Sequence, residues 1–346
     1  QGIPVNLAVV DTLWKKLLRN HAHDSIGGCN SDATNRDILH RLEQTEQLCH
    51  SLWNLVVKTL AAACVQDGDL LIFNPLATPT QRVVITTLYN RADNIALTYQ
   101  GQPLSFDVLE RDILPGGTAI SLTAEGECET PLPPYYRWHV AVKTPVLPPI
   151  GYLTVNVEED RAPFRAPEKI KSSEIENAHY RLSLDAGTLT LEDKRSGRRI
   201  SSFFTFEDCA DAGDSYDFSP LAGDAPTRCS HFTLVDGVKT PLVEKLTVEA
   251  TMRLPQDLAS RQDTARTPLS IRLFCELRHD DPNLYVEASL ENSHCDHRLR
   301  LLIGSDVHTR HAIASQPFAI IQRETGYDGE HWQERYREMP VDIETS

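Results

Sequence analysis

The stretch LVEKLTVEATMR at residues 242–253 decides the predicted fold class, because it is the longest of several strand candidates that follow one another without an intervening helix. The other candidates in this part of the chain are residues 180–184, 188–191, 270–277, 284–290 and 298–303. Many strands without helices between them favour a β-sandwich. We therefore predict a large β-sandwich domain over residues 170–346.

The residues just before this domain predict a second, smaller β unit. Short β-like runs occur at residues 70–73 and 82–88, and prolines punctuate the chain that follows. We expect a small antiparallel β domain over residues 70–165. The Pro- and charge-rich segment 159–171 predicts a linker between the two β domains.

Residues 1–67 predict a helical segment. Apolar side chains recur at three- and four-residue steps from Leu7 to Leu18, which indicates one face of a helix. A second helix is predicted from Ser31 or Asp32 to a point before Gly68, with a polar, Gly-containing loop at residues 20–30 between the two. The fold class is therefore α+β multidomain: a helical-bundle segment, then a small antiparallel β domain, then a large β-sandwich.

Charge and composition exclude several classes of function. Acidic residues number 49 against 34 basic ones, for a net charge of −15. Binding to nucleic acid needs a basic face, so we expect no nucleic-acid partner. No window approaches the roughly 18 consecutive apolar residues of a membrane-spanning helix, so we expect no membrane partner.

The cysteines and the chain ends give two further expectations. The eight cysteines form no CxxC pair, which favours reduced thiols and a cytoplasmic location over a disulfide framework. The chain begins with Gln1, and its only methionines, Met252 and Met339, lie deep within it. We expect the chain to be a piece of a longer protein, truncated in its last domain.

The densest cluster of side chains able to bind a metal is His21-Ala22-His23-Asp24, in the predicted loop after the first helix. Two other histidine pairs, His294 with His297 and His308 with His311, are predicted to be surface or edge residues, since an i, i+3 pair on a strand points to opposite faces. The acidic, aromatic segment at residues 208–220 could serve a sugar site or be a solvated loop.

Four segments, taken in order, resemble glycoside hydrolase family 38 α-mannosidases, most closely the bacterial members that act on mannosylglycerate. They are WKKLLRNHAHDSI at residues 14–26, LIFNPL at 71–76, DAGDSYDFSP at 211–220 and DHRLR at 296–300. The resemblance implies a retaining glycosidase that hydrolyses an α-mannoside, with mannosylglycerate or its phosphorylated form as the expected substrate.

The resemblance also implies roles for three residues. His23 is the expected ligand of a zinc ion, for which other divalent ions could substitute, and Asp24 and Tyr216 are the expected sugar contacts. The family's nucleophile and acid/base carboxylate belong to an N-terminal catalytic barrel that these residues do not contain. We therefore expect no catalytic residue in the chain and no activity from the chain alone.

Two other functions remain open. The chain could belong to a broad-specificity α-mannosidase, which differs only in substrate. It could also be a non-catalytic carbohydrate-binding β module, whose affinity for sugar would survive replacement of His23.

Overall fold

The computed structural model describes residues 6–66, 69–160, 172–214 and 218–324. The chain begins with helices and continues almost entirely as antiparallel strands, as the predicted α+β fold class requires. The predicted linker lies mostly at residues 161–171, outside the described residues.

Three helices form the first segment: α1 (Leu7–Leu18), α2 (His23–Gly27) and α3 (Asp32–Cys64). The helix predicted from Leu7 to Leu18 is confirmed. Helix α3 begins where the Ser31 side chain accepts a hydrogen bond from the Thr34 N–H, one of the two predicted caps. The polar, Gly-containing loop predicted at residues 20–30 does connect the two longer helices, but the prediction missed the short helical structure there. A 3-10 turn and α2 lie there, and Gly28 ends α2 in the left-handed conformation (φ 79°).

Helices α1 and α3 pack antiparallel. The Lys16 Nζ donates to Gln44 Oε1 at 2.6 Å, and the Arg41 Nη1 donates to Asn20 Oδ1 at 2.9 Å. Little apolar surface is removed from water by this contact, because no residue of α1 is fully buried and Trp14 stays 53% exposed. Within the described residues, the pair therefore keeps an apolar surface that is open to solvent.

Nine strands follow in three sheets, with orders β1-β9-β3-β4, β2-β8-β5 and β6-β7. Their bounds are β1 Leu70–Asn74, β2 Val83–Asn90, β3 Ile95–Tyr99, β4 Gln102–Pro103, β5 Phe106–Leu114, β6 Thr118–Thr123, β7 Gly126–Pro131, β8 Tyr135–Lys143 and β9 Gly151–Glu159. One apolar core lies between the first two sheets, centred on the fully buried Trp138, Val140 and Val155.

Thirteen further strands are described from residue 174 onward, in sheets of order β10-β11-β12-β13, β15-β14-β20, β16-β17-β18-β19 and β21-β22. Their bounds are β10 Glu174–Glu176, β11 Tyr180–Asp185, β12 Thr188–Asp193, β13 Arg198–Ile200, β14 Phe204–Ala210, β15 Thr227–Cys229, β16 Thr233–Lys239, β17 Val243–Leu254, β18 Thr267–Arg278, β19 Leu284–Leu290, β20 His297–Ile303, β21 His311–Gln316 and β22 Ala319–Glu324.

The stretch at residues 242–253 forms the centre of this second β unit as β17. Its residues Leu246, Val248 and Ala250 alternate toward the core, and β18 pairs with it along its whole length. They share one apolar cluster with Leu182 of β11 and Phe204 of β14. Each large aliphatic side chain buried in this way stabilises the fold by about 1.5–3 kcal/mol.

The two β units contact each other directly. Val83 and Ala141 of the first unit pack with Leu242 and Val243 of the second. The Leu242 N–H donates to the Asp107 carboxylate at 2.6 Å.

No helix in the described ranges combines the length and the apolar character that crossing a bilayer would require.

Candidate functional site

His23 and Asp24 begin the short helix α2, directly after the turn that ends α1. The Asp24 carbonyl accepts hydrogen bonds from the N–H groups of Gly28 and Cys29, so the backbone closes into a single helical turn. The amide of Asn30 also donates to the same carbonyl, at 2.9 Å. These contacts hold the backbone at Asp24 in place without using its carboxylate.

The side chains of His23 and Asp24 are 95% and 65% exposed, and they face each other at 3.1 Å between Nε2 and Oδ1. Within the described part of the chain, no group of three His, Cys, Asp or Glu side chains converges as a metal site would require. A catalytic zinc takes three or more protein ligands. The described residues therefore do not make a complete zinc site by themselves.

A second polar cluster lies where β14 pairs with β20, beside two of the segments that resemble family 38, residues 211–220 and 296–300. Asp208 of β14 is completely buried, and its carboxylate contacts two cationic or potentially cationic side chains. One oxygen accepts from Arg261 Nη1 at 2.9 Å, and the other lies 2.6 Å from His297 Nδ1. The side chains of Arg261 and His297 are only 4% and 3% exposed.

Both ring nitrogens of His297 face oxygen atoms. Nδ1 faces Asp208, and Nε2 lies 3.1 Å from Asn292 Oδ1, which also accepts the His294 N–H. Asp208 thus lies between Arg261, which contacts one carboxylate oxygen, and His297, which contacts the other.

The prediction that His294 and His297 are surface or edge residues is wrong for His294. For His297 the edge position is confirmed, because β20 is the outer strand in the described order β15-β14-β20, although the side chain is buried. His294 is 5% exposed and its Nε2 lies 2.8 Å from the Thr267 hydroxyl, and His297 is buried against Asp208. The rule that an i, i+3 pair on a strand points to opposite faces does not apply here, because His294 lies before β20 rather than on it.

The segment at residues 211–220, called here the acidic loop, leaves β14 and closes on itself. The Asp211 carboxylate accepts the N–H groups of Gly213 and Ser219 at 2.9 and 3.0 Å, and the Ala212 N–H donates to the Ser219 carbonyl at 2.7 Å. The Arg298 guanidinium lies 3.4 Å from the centre of the Phe218 ring. Such a contact is a close cation–π interaction.

Tyr216, the expected sugar contact in this loop, lies outside the described residues. Among the described residues, no hydrogen bond or ion pair joins His23 or Asp24 to the acidic loop.

Glu207, the neighbour of Asp208 on β14, is 1% exposed and is held by Arg228 and Arg300. Burial by itself would raise the pKa of this carboxyl. Hydrogen bonds from Arg300 and Arg228 outweigh that effect and hold the pKa of Glu207 below its ordinary value. Glu207 is therefore a charged, paired group.

The sequence did not predict Glu207, Asp208 and Arg261 as a buried cluster. A signal exists in the sequence, since two adjacent carboxylates interrupt the apolar strand FTFEDCA at residues 204–210. A buried charge needs a partner, so such a strand predicts basic partners elsewhere in the chain.

The second of the four matched segments, LIFNPL, has a structural role. Asn74 is 2% exposed, and its amide donates to the carbonyls of Thr78 and Pro148 at 2.9 Å each. Its Oδ1 accepts the Leu76 N–H at 3.1 Å. Asn74 thus fixes the turn after β1.

Residues 175–343 match the family model described as "Glycosyl hydrolases family 38 C-terminal domain". No curated protein matches the chain. The fold is similar to that of an alpha-mannosidase from Enterococcus faecalis V583, with a TM-score of 0.77 and 19% identity over 94% of this chain and 42% of that chain. It is also similar to a protein in glycosyl hydrolase family 38 from Enterococcus faecalis, with a TM-score of 0.75 and 19% identity over 93% of this chain and 44% of that chain.

The chain thus spans less than half the length of either solved structure that it matches. At this level of identity the two structures establish the fold, while the family model supplies the sequence match. Residues 175–343 are therefore similar to the C-terminal domain of glycosyl hydrolases family 38, within a chain that has the fold of these family 38 structures.

Proposed function

We propose that this chain forms part of a family 38 α-mannosidase and contributes one zinc ligand and several sugar contacts to the hydrolysis of an α-mannoside. The observation that carries the proposal is the family match over residues 175–343, together with a fold similar to a solved alpha-mannosidase over 94% of the chain. More than half of that solved chain has no counterpart here, and the proposal assigns the nucleophile and the acid/base carboxylate to a catalytic barrel in that part.

The proposed metal ligand is His23, and the proposed sugar contacts are Asp24 and Tyr216. The exposure of His23 and Asp24 supports this assignment, because both side chains are free to meet a second domain. Zinc bound there would fix hydroxyl groups of the sugar and polarise them. The proposed mechanism is a retaining one, with two carboxylates acting on opposite sides of the glycosidic bond.

The proposed substrate is mannosylglycerate or its phosphorylated form, with other α-mannosides as the competing possibility. A glycerate or phosphate group is anionic and requires basic side chains near the pocket. Arg298 supports this choice, because its guanidinium already lies against the acidic loop, on the ring of Phe218.

The test uses the full-length protein that contains these residues. Metal content and turnover of mannosylglycerate, mannobiose and an aryl α-mannoside are measured for the wild type, for His23→Ala and for His50→Ala. His50 is a suitable control because it is also an exposed histidine of the helical segment, paired with Glu46 at 3.6 Å.

Loss of both metal and turnover in His23→Ala, with neither lost in His50→Ala, is the expected result. Comparable turnover of mannobiose and mannosylglycerate would overturn the narrow substrate and leave a broad-specificity α-mannosidase. Full metal content and full activity in His23→Ala would overturn the ligand assignment. A wild-type protein that binds mannosides without hydrolysing them would instead be a carbohydrate-binding module.

A further inference from the structure

A groove lies on the outer face of the sheet β16-β17-β18-β19. Its volume of about 460 Å³ is within the range of about 300–1,000 Å³ that small-molecule sites occupy. One end lies at the junction of the two β units, because Arg278, which lines the groove, donates from Nη1 to the Val83 carbonyl at 3.3 Å. We call it the outer groove, and six more of its lining residues are Lys245, Thr247, Phe274, Glu276, Tyr285 and Glu287.

The strand register places Phe274 of β18 among polar side chains. Phe274 pairs with Thr247 of β17 on one side and with Glu287 of β19 on the other. Glu276 lies two residues further along β18 and therefore shares its face. Directly paired residues of antiparallel strands have Cβ atoms about 4.5–5.5 Å apart. The Phe274 ring is thus bordered by a hydroxyl group and carboxylates.

The Phe274 ring is also uncovered. It is 39% exposed, whereas its neighbours Leu273 and Cys275 belong to the apolar core on the other face of the sheet. The Tyr285 ring, by contrast, is covered by the Arg278 guanidinium at 4.2 Å from its centre. In the part of the chain that the structure describes, no second ring and no cation stacks on Phe274. Phe274 therefore offers an apolar surface to a ligand.

The polar groups around this ring differ in whether the protein already uses them. The Glu276 carboxylate lies 3.1 Å from Lys245 Nζ and 2.6 Å from Arg278 Nε. The Thr247 hydroxyl and the Glu287 carboxylate form no hydrogen bond or ion pair with any described residue, so both can bond to a ligand. Two cationic side chains and two carboxylates line the groove. This balance of charge favours a neutral ligand.

One uncovered ring with hydrogen-bonding groups at its edge suits a pyranose. The C–H face of the sugar packs on the ring, and its hydroxyl groups bond to the polar side chains. We propose that the outer groove binds one neutral hexopyranose unit of a glycan, with Phe274 as the stacking surface and Thr247 and Glu287 as hydrogen-bonding partners. None of these three residues has a part in the function proposed above, so the inference does not depend on it.

The experiment uses the full-length protein with the His23→Ala substitution, so that sugar binding through the proposed metal ligand does not contribute. Ligand-detected saturation-transfer NMR measures the affinity for methyl α-mannoside, methyl α-glucoside and mannitol. Phe274→Ala and Phe274→Tyr are each added to this background. Tyr135→Ala is the matched control, because Tyr135 is also an aromatic residue on a strand and is 40% exposed.

Both glycosides should bind, and mannitol should not, because it carries hydroxyl groups without a ring face. Phe274→Ala should weaken glycoside binding at least about tenfold. Phe274→Tyr keeps the ring and should retain the affinity, as should Tyr135→Ala. The proposal is overturned if neither glycoside binds, if mannitol binds as tightly as the glycosides, or if Phe274→Ala binds them with unchanged affinity.

A second variant covers the case in which Phe274→Ala lowers the thermal midpoint so far that the protein does not fold. Glu287→Ala removes an exposed carboxylate and should weaken glycoside binding at least about fivefold, since hydrogen bonds to charged groups are the stronger ones. Unchanged affinity in Glu287→Ala would then overturn the proposal. If the wild-type protein hydrolyses no mannoside, the function proposed above fails, and the titrations still decide whether the outer groove binds a sugar.

Discussion

Replacement of Asp208 by asparagine tests the buried cluster directly. Asparagine keeps nearly the same shape as aspartate and removes the only formal negative charge that Arg261 and His297 both contact. These two side chains are 4% and 3% exposed, so solvent cannot take over the role of the carboxylate. The variant removes the nearer of the two carboxylates that face Arg261, because Asp224 Oδ2 lies 3.6 Å from the same Nη1.

The expected magnitude follows from burial. Breaking a buried pair by removing one partner costs about 3–5 kcal/mol. Glu249→Gln is the control, because Glu249 and Arg272 form a pair of nearly the same length, 3.0 Å against 2.9 Å, with side chains that are 30% and 49% exposed. An exposed pair contributes under about 1 kcal/mol. The difference between the two variants therefore isolates the effect of burial.

The assay is hydrogen exchange read on peptides from β14 and β18, across a urea series. This readout suits a chain with several cores, where a single global transition is not a safe assumption. We expect Asp208→Asn to lower the free energy of opening of β14 by about 3–5 kcal/mol. A loss below about 1 kcal/mol, equal to that of Glu249→Gln, would refute the argument that burial makes Asp208 essential.

Three more predictions follow from separate features. The chain by itself should not hydrolyse an aryl α-mannoside, and turnover that disappears in His23→Ala would contradict this. Burial raises the pKa of the Cys275 thiol to about 12, so native protein should react with iodoacetamide at the exposed Cys49, Cys128 and Cys295 and leave Cys275 unlabelled. Mass spectrometry of tryptic peptides gives the labelling pattern, and modified Cys275 in native protein would be the contrary result. In the folded state the pKa of Glu207 lies below the ordinary glutamate value of 4.5. The charged carboxylate therefore stabilises the fold fully at pH values above 4.5, and this stabilisation is lost as the pH falls through the lowered pKa. Glu207→Gln should therefore be less stable than wild type near pH 7 and nearly equal to it at low pH, as urea midpoints at both pH values would show; a constant difference would argue against this linkage.

The sequence predicted the elements well where a local repeat carries the information. The three- and four-residue spacing from Leu7 to Leu18 matches α1, and the strand predicted at residues 242–253 forms β17 with a shift of one residue. The loop predicted at residues 20–30 missed α2, because a single helical turn is too short to show a periodic pattern. Gly28, which ends α2 in the left-handed conformation, is one residue and adds no repeat to that pattern.

The candidate site likewise has one part that the sequence predicted and another that only the tertiary structure shows. The sequence by itself singled out His23 and Asp24 and the acidic loop, because each is a continuous segment with a recognisable set of side chains. Only the tertiary structure decided that Asp208 is buried and which residues surround it. Arg261 lies 53 positions away along the chain and His297 lies 89 positions away. A strand pattern fixes which side chains share a face, but the partner of a buried charge depends on the tertiary fold. Pairing of β14 with β20 brings His297 to one oxygen of the Asp208 carboxylate, and the 3-10 turn Ala259–Gln262 between β17 and β18 brings Arg261 to the other.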